Sequence, residues 1–145
     1  MATNDAIFSA QTQTTVITGT TTRASGAFST AAECTNPISN NLRPMAKATL
    51  SCSFSTAPTA NMLVNLYRRG LAIDGTNDAE TPSSAYPNEW VGAFPINAVT
   101  TQQYAEVMIL LIEGDQEFYI ENDTDQTMDA DYIVTVKPLT YVPSA

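Results

Sequence analysis

A chain of 145 residues, 43% of them apolar, has the size of one compact unit with its own hydrophobic core, and needs neither a metal nor a disulfide framework to fold. Fifteen Asp and Glu against six Lys and Arg leave a net charge of −9, which repels phosphate backbones and anionic lipid and argues against nucleic-acid and membrane partners. There is no histidine, so the usual general base and the commonest zinc ligand are both missing and most familiar catalytic constellations are excluded.

The charge is unevenly placed. Residues 1–72 hold Asp5 and Glu33 against Arg23, Arg43, Lys47, Arg68 and Arg69, whereas residues 73–145 hold thirteen acids against Lys137 alone. An acid-rich half keeps a protein soluble and apart from its own copies, while a mildly basic half can be steered to an acidic partner. No amino-terminal basic region leads into an apolar run, and no 18-residue apolar stretch occurs, so neither a signal peptide nor a membrane span is expected and the chain is read as folding in a reducing cytoplasm.

Residues 1–30 are rich in Thr, Ser, Ala and Gln, with Ile7, Phe8, Val16, Ile17 and Phe28 as their sizeable apolar anchors. The β-branched run Thr12 to Thr18 suits a strand, but its low apolar content predicts an edge or partner-supplemented position, so residues 1–30 are read as an arm or outer strand and 31–145 as the body. Thr35 to Pro44 is full of turn formers. Ala46 to Ser55 then alternates strictly, with Ala48, Leu50, Cys52 and Phe54 on one side and Lys47, Thr49, Ser51 and Ser53 on the other, which predicts a strand with the Cys52 thiol buried. Cys34 and Cys52 are expected to be free, with Cys52 acting as a small apolar residue.

Met62 to Gly70 fits either a strand or a helix face. Asp74 to Asn88 is a polar loop longer than usual connections, hence functional or mobile. Trp90 to Phe94 resumes a strand that Pro95 either ends or places at an edge. Tyr104 to Ile112, Glu117 to Glu121 and Tyr132 to Lys137 complete a series of short strands joined by turns, the pattern of an antiparallel sandwich or barrel.

Candidate chemistry is sparse. Asp123, Asp125 and Asp129 offer oxygen ligands for calcium, but Met128 and Val134 stand where an EF-hand loop counted from Asp123 needs Gly and a bidentate Glu, so a solvated turn is the stronger reading. Glu89, Glu106, Glu113 and Glu117 could supply a glycosidase pair, yet each lies at a turn or a polar alternating position with nothing to perturb it, and no enzyme activity, catalytic residue or cofactor is assigned. Arg68 and Arg69 read as a solvated strand end, with an anion site as the alternative. Tyr86 and Trp90 are the aromatic pair that a sugar face would use, although a tryptophan opening a strand is more often core.

Three stretches together resemble a widespread group of bacteriophage virion proteins: Ser55 to Ala60 followed by Val64-Asn65-Leu66-Tyr67 and Asp74 to Asn77; Trp90-Val91-Gly92-Ala93-Phe94-Pro95; and Phe118 to Thr127 with Tyr132 to Pro138 after it. The resemblance covers about residues 50–141, and the sequence departs from the group in its acidic turn and its Thr-rich start. It implies an all-β, jelly-roll-like antiparallel sandwich of about eight strands and favours strands over Met62–Arg69 and Tyr104–Ile112.

On that resemblance the expected function is capsid decoration (cement): a homotrimer on the outer surface of the virion head that binds the major capsid protein and stabilises the assembled shell by mass action. Arg23, Arg43 and Lys47 are the candidate docking residues. The alternatives are a tail- or fibre-associated protein and a carbohydrate-binding sandwich.

Overall fold

A computed structural model describes residues 6–10, 12–40, 44–87 and 89–143. Its strands are β1 (Ala6–Ala10), β2 (Thr14–Thr18), β3 (Ala27–Phe28), β4 (Ile38–Asn40), β5 (Met45–Cys52), β6 (Met62–Gly70), β7 (Trp90–Ile96), β8 (Gln103–Leu110), β9 (Gly114–Asp123) and β10 (Ile133–Pro143), with one short 3-10 turn at Ala31–Glu33. All pairings are antiparallel.

The strands form two sheets. In the first, β10 lies between β5 and the pair β1 and β2, and β8 closes the other edge. In the second, β9 lies between β6 and the pair β3 and β4, and β7 forms the far edge. Setting β1 aside and counting β3 and β4 as one, the eight strands in chain order run 1-8-3-6 in one sheet and 2-7-4-5 in the other. That interleaving is the jelly roll, so the expected architecture and strand number hold.

The core lies between the sheets. The alternation of β5 buries Ala46, Ala48, Leu50 and Cys52 as its period predicts, and they meet Val64 and Leu66 of β6, Phe94 of β7, Phe118 and Ile120 of β9, and Val134 and Val136 of β10 in one cluster. Each large side chain buried here is worth roughly 1.5–3 kcal/mol relative to exposure. Both cysteines are free and buried, and burial pushes each thiol up to about 12. Gly92 lies where β7 approaches β8, and a Cβ there would lie 3.3 Å from a Val107 methyl, a tight contact.

One sequence expectation is revised and two alternatives left open are decided. The outer strand β2 packs on the body: Val16 and Ile17 are buried, and the segment after them is tied to the body by Arg23, whose side chain reaches Glu33 and Tyr132. β7 runs through Pro95 as an edge strand, the second of the two outcomes expected there, whereas β10, expected to stop before Pro138, runs past it to Pro143. Pro138 falls where the outer partner of β10 changes from β2, paired up to Val136, to β1, paired from Leu139, so the missing donor coincides with an existing interruption of the ladder. Met62–Gly70 is a strand because Val64 and Leu66 alternate into the core between two neighbouring strands.

Candidate binding site at the β7–β8 edge

The long connection over residues 71–89 joins β6 to β7, and Arg68 near the end of β6 and Trp90 at the start of β7 lie at one open side of the sandwich where the edge strands β7 and β8 face each other. Regular alternation would aim Trp90 inward, in step with Gly92 and Phe94. A register shift intervenes: Leu66 pairs with Gly92, but Tyr67 pairs with Trp90, so Val91 is the extra residue of a bulge. Trp90 therefore shares the outward side with Tyr67 and is 55% exposed.

The indole is held in place. Trp90 Nε1 donates to Asn65 Oδ1 at 3.2 Å, Asn65 Nδ2 donates to Glu121 Oε2 at 3.2 Å, and the Tyr67 hydroxyl donates to the same Glu121 oxygen at 2.8 Å. The Tyr67 ring packs against Phe28 with centroids 5.2 Å apart, and burial together with the Glu121 carboxylate pushes its phenol up to about 12, so it stays a donor. An exposed aromatic face fixed by a polar chain behind it is pre-organised for stacking.

Consecutive residues of a strand face opposite ways, and the two arginines of β6 do so. Arg69 lies on the outer side, with Nε 2.8 Å from Glu117 Oε2, its guanidinium over the Tyr119 ring at 5.8 Å, and Asp78 3.9 Å away. Arg68 points into the gap between the sheets, where one terminal N–H donates to the Leu110 carbonyl of β8. Its Nε is buried without a hydrogen-bond acceptor; the Glu89 carboxylate stands 3.9 Å off, an ion pair beyond hydrogen-bond length. Burial lowers the pKa of Arg68 from its ordinary value, with Glu89 opposing the fall only in part. Arg68, Trp90, Val91, Met108 and Leu110 line a cavity of about 210 Å3.

The other sequence candidates scatter. Arg23 is inside, bonded to Glu33 and Tyr132, and Arg43 lies outside the described residues. Lys47 is on the outer face of the first sheet, 2.9 Å from Glu106. Arg23 and Lys47 are thus not brought together, because Arg23 serves the interior. Tyr86 is half-exposed and pairs with Ser83 within its own loop, so the wall opposite Trp90 comes from Met108 and Leu110 instead.

Two of the three calcium candidates are engaged with protein donors: Asp125 accepts from Thr59 N and Oγ1 at 2.9 and 2.6 Å, and Asp129 accepts from Ser53 and Ser55 at 2.8 and 2.7 Å. Among the described residues no three acids or cysteines gather as metal ligands. Of the glycosidase candidates, Glu89, Glu106 and Glu117 each face a basic side chain. No described helix is long and apolar enough to cross a membrane.

No protein-family model matches the chain, and no curated protein sequence matches it. Among solved structures it is similar to the CBM35 of Cellvibrio japonicus Abf62, at 14% identity and a TM-score of 0.36 over 97% of this chain and 99% of that one. It is also similar to a Xyl-CBM35 in complex with a glucuronic acid containing disaccharide, at 15% identity and a TM-score of 0.34 over 97% and 94% of the two chains. Neither likeness is close enough to carry a residue or a ligand across.

Proposed function

We propose that this protein is a non-catalytic binding module whose β7–β8 edge receives a carbohydrate, with Trp90 as the stacking platform. The observation that carries the reading is the Trp90 indole, turned outward by a bulge, held by Asn65, and standing at the mouth of a cavity with Met108 and Leu110 opposite. The C–H faces of pyranose rings pack on flat aromatic surfaces, and a shallow, partly apolar cleft with few polar groups suits one or two sugar units. The absence of histidine and the pairing of the carboxylates support binding without turnover. Screening the labelled protein on immobilised glycans should give a signal that Trp90→Ala abolishes while the fold persists; no signal on any glycan, or one indifferent to that change, overturns the reading.

A second reading is favoured by the adjoining surface, which shares Met108 and Leu110 with the cavity. The outer face of the first sheet carries Tyr104, Met108 and Leu110, all exposed on the edge strand β8 among the described residues. Apolar residues concentrated on a flat strand edge support attachment to another protein. With the resemblance to phage virion proteins over about residues 50–141, this is the face by which a head decoration protein would sit on the capsid. Purified virions analysed by mass spectrometry and electron microscopy test it: the chain present on heads supports decoration, its presence only on tails supports a fibre-associated role, and its absence from particles removes both.

A further inference from the structure

Arg68 is a cation without adequate compensation. A guanidinium has five donors. One is used by the Leu110 carbonyl, Nε has no acceptor, and the single nearby carboxylate, Glu89, is 3.9 Å away and partly solvated. Its neighbour Arg69 shows what full compensation looks like on the same strand, with Glu117 in hydrogen-bond contact, Asp78 beyond it and the Tyr119 ring beneath. A partly buried arginine whose Nε is buried without an acceptor, beside a solvent-open cavity, marks an anion subsite, because a planar, weakly hydrated guanidinium pairs well with a carboxylate in partly desolvated surroundings.

We propose that the cavity between Trp90 and Met108 selects acidic sugars, taking the ligand's carboxylate on Arg68 while the sugar ring stacks on Trp90. This deepens the carbohydrate-binding reading and rests on it. Trp90 and Arg68 line the same cavity, so one monosaccharide can reach both. Glu89 tempers the site: a ligand carboxylate must displace its weak hold on Arg68 and bear its repulsion, so removing that charge should tighten binding. Neutral sugars would stack on Trp90 but leave Arg68 as it is.

Trp90 is the one tryptophan of the chain, so its fluorescence reports the site directly. The probes are oligogalacturonate with its carboxyl-reduced form, and sialyllactose with lactose, which separate a uronic from a sialic source of the carboxylate. At least one acidic probe should bind tenfold or more tightly than its neutral counterpart. Arg68→Gln should erase that preference, bringing the acidic probe to the affinity of its neutral counterpart, while the far-ultraviolet circular dichroism shows the fold retained. Arg68→Lys should recover part of it, and Glu89→Gln should strengthen the acidic probe. Equal binding of acidic and neutral members, a preference that survives Arg68→Gln, or no response to any of the four overturns the acidic subsite; only silence across the full glycan screen overturns the glycan reading as well. Should Arg68→Gln fail to fold, the Glu89→Gln titration decides, since unchanged or weaker acidic binding there contradicts the proposal.

Discussion

The Tyr132 hydroxyl donates to Glu33 Oε1 at 2.7 Å across 99 residues of sequence, and both side chains are fully buried. Around them Arg23 donates to Tyr132 and to the other Glu33 oxygen, while Thr20 and Thr30 each offer Glu33 a backbone N–H, at 2.9 and 2.8 Å. This network fastens the Thr-rich amino-terminal segment to the last strand. Glu33→Gln keeps the shape but leaves Arg23 short of its partner, so it should cost about 3 kcal/mol, and Tyr132→Phe about 1–3 kcal/mol. Urea unfolding measures both; a Glu33→Gln midpoint equal to that of the parent would show that the network is not holding the segment.

The same carboxylate sets an acid limit. Burial alone would raise its pKa, but the Thr20 and Thr30 N–H groups and the hydroxyls of Tyr132 and Thr30 outweigh burial and hold it at about 2 instead of 4.5. The unfolded chain therefore takes up this proton first. The contribution, roughly 3 kcal/mol, is complete above pH 4.5 and vanishes as pH falls through 2. The stability gap between the parent and Glu33→Gln should narrow over that window; a gap constant from pH 7 to 2 contradicts it.

Gly19 donates its N–H to the Tyr132 carbonyl at 2.7 Å, and a Cβ there would lie 2.6 Å from the Tyr132 ring and 2.7 Å from the Ala130 carbonyl. The ring is buried and the carbonyl is backbone, so neither yields easily. Gly19→Ala should destabilise by about 2 kcal/mol or more through overpacking. Thermal unfolding within a degree of the parent would mean that β2 shifts freely.

Cys34 and Cys52 combine burial with thiols pushed up to about 12. Neither should react with a thiol reagent at pH 8 in the native state, and both should react in urea. Fast modification of either without denaturant would show that its side of the core opens.

What sequence pattern could and could not supply follows from distance along the chain. The alternation of β5 sets its buried face directly, and the burial of Cys52 follows from it. The outward turn of Trp90 depends on a bulge against β6, and a register shift leaves no trace in local composition. Period two places Arg68 and Arg69 on opposite faces, but which one enters the gap is settled by Leu66 and by the approach of β8. The role of Glu33 had one local signal: Thr30-Ala31-Ala32-Glu33 is a capping-box spacing, and Thr30 does donate to Glu33. Its partners Arg23 and Tyr132 come from elsewhere in the fold. The weak apolar content of β2 understates it, since Val16 and Ile17 alone suffice to seat it in the core.

The most direct test of the account is the indole N–H resonance of Trp90, a single peak because the chain has one tryptophan. Titration of the isotope-labelled protein with oligogalacturonate or sialyllactose should move that peak saturably, together with the Asn65 side-chain amide that accepts its hydrogen bond. Peaks that stay fixed up to millimolar concentrations of both sugars would contradict it.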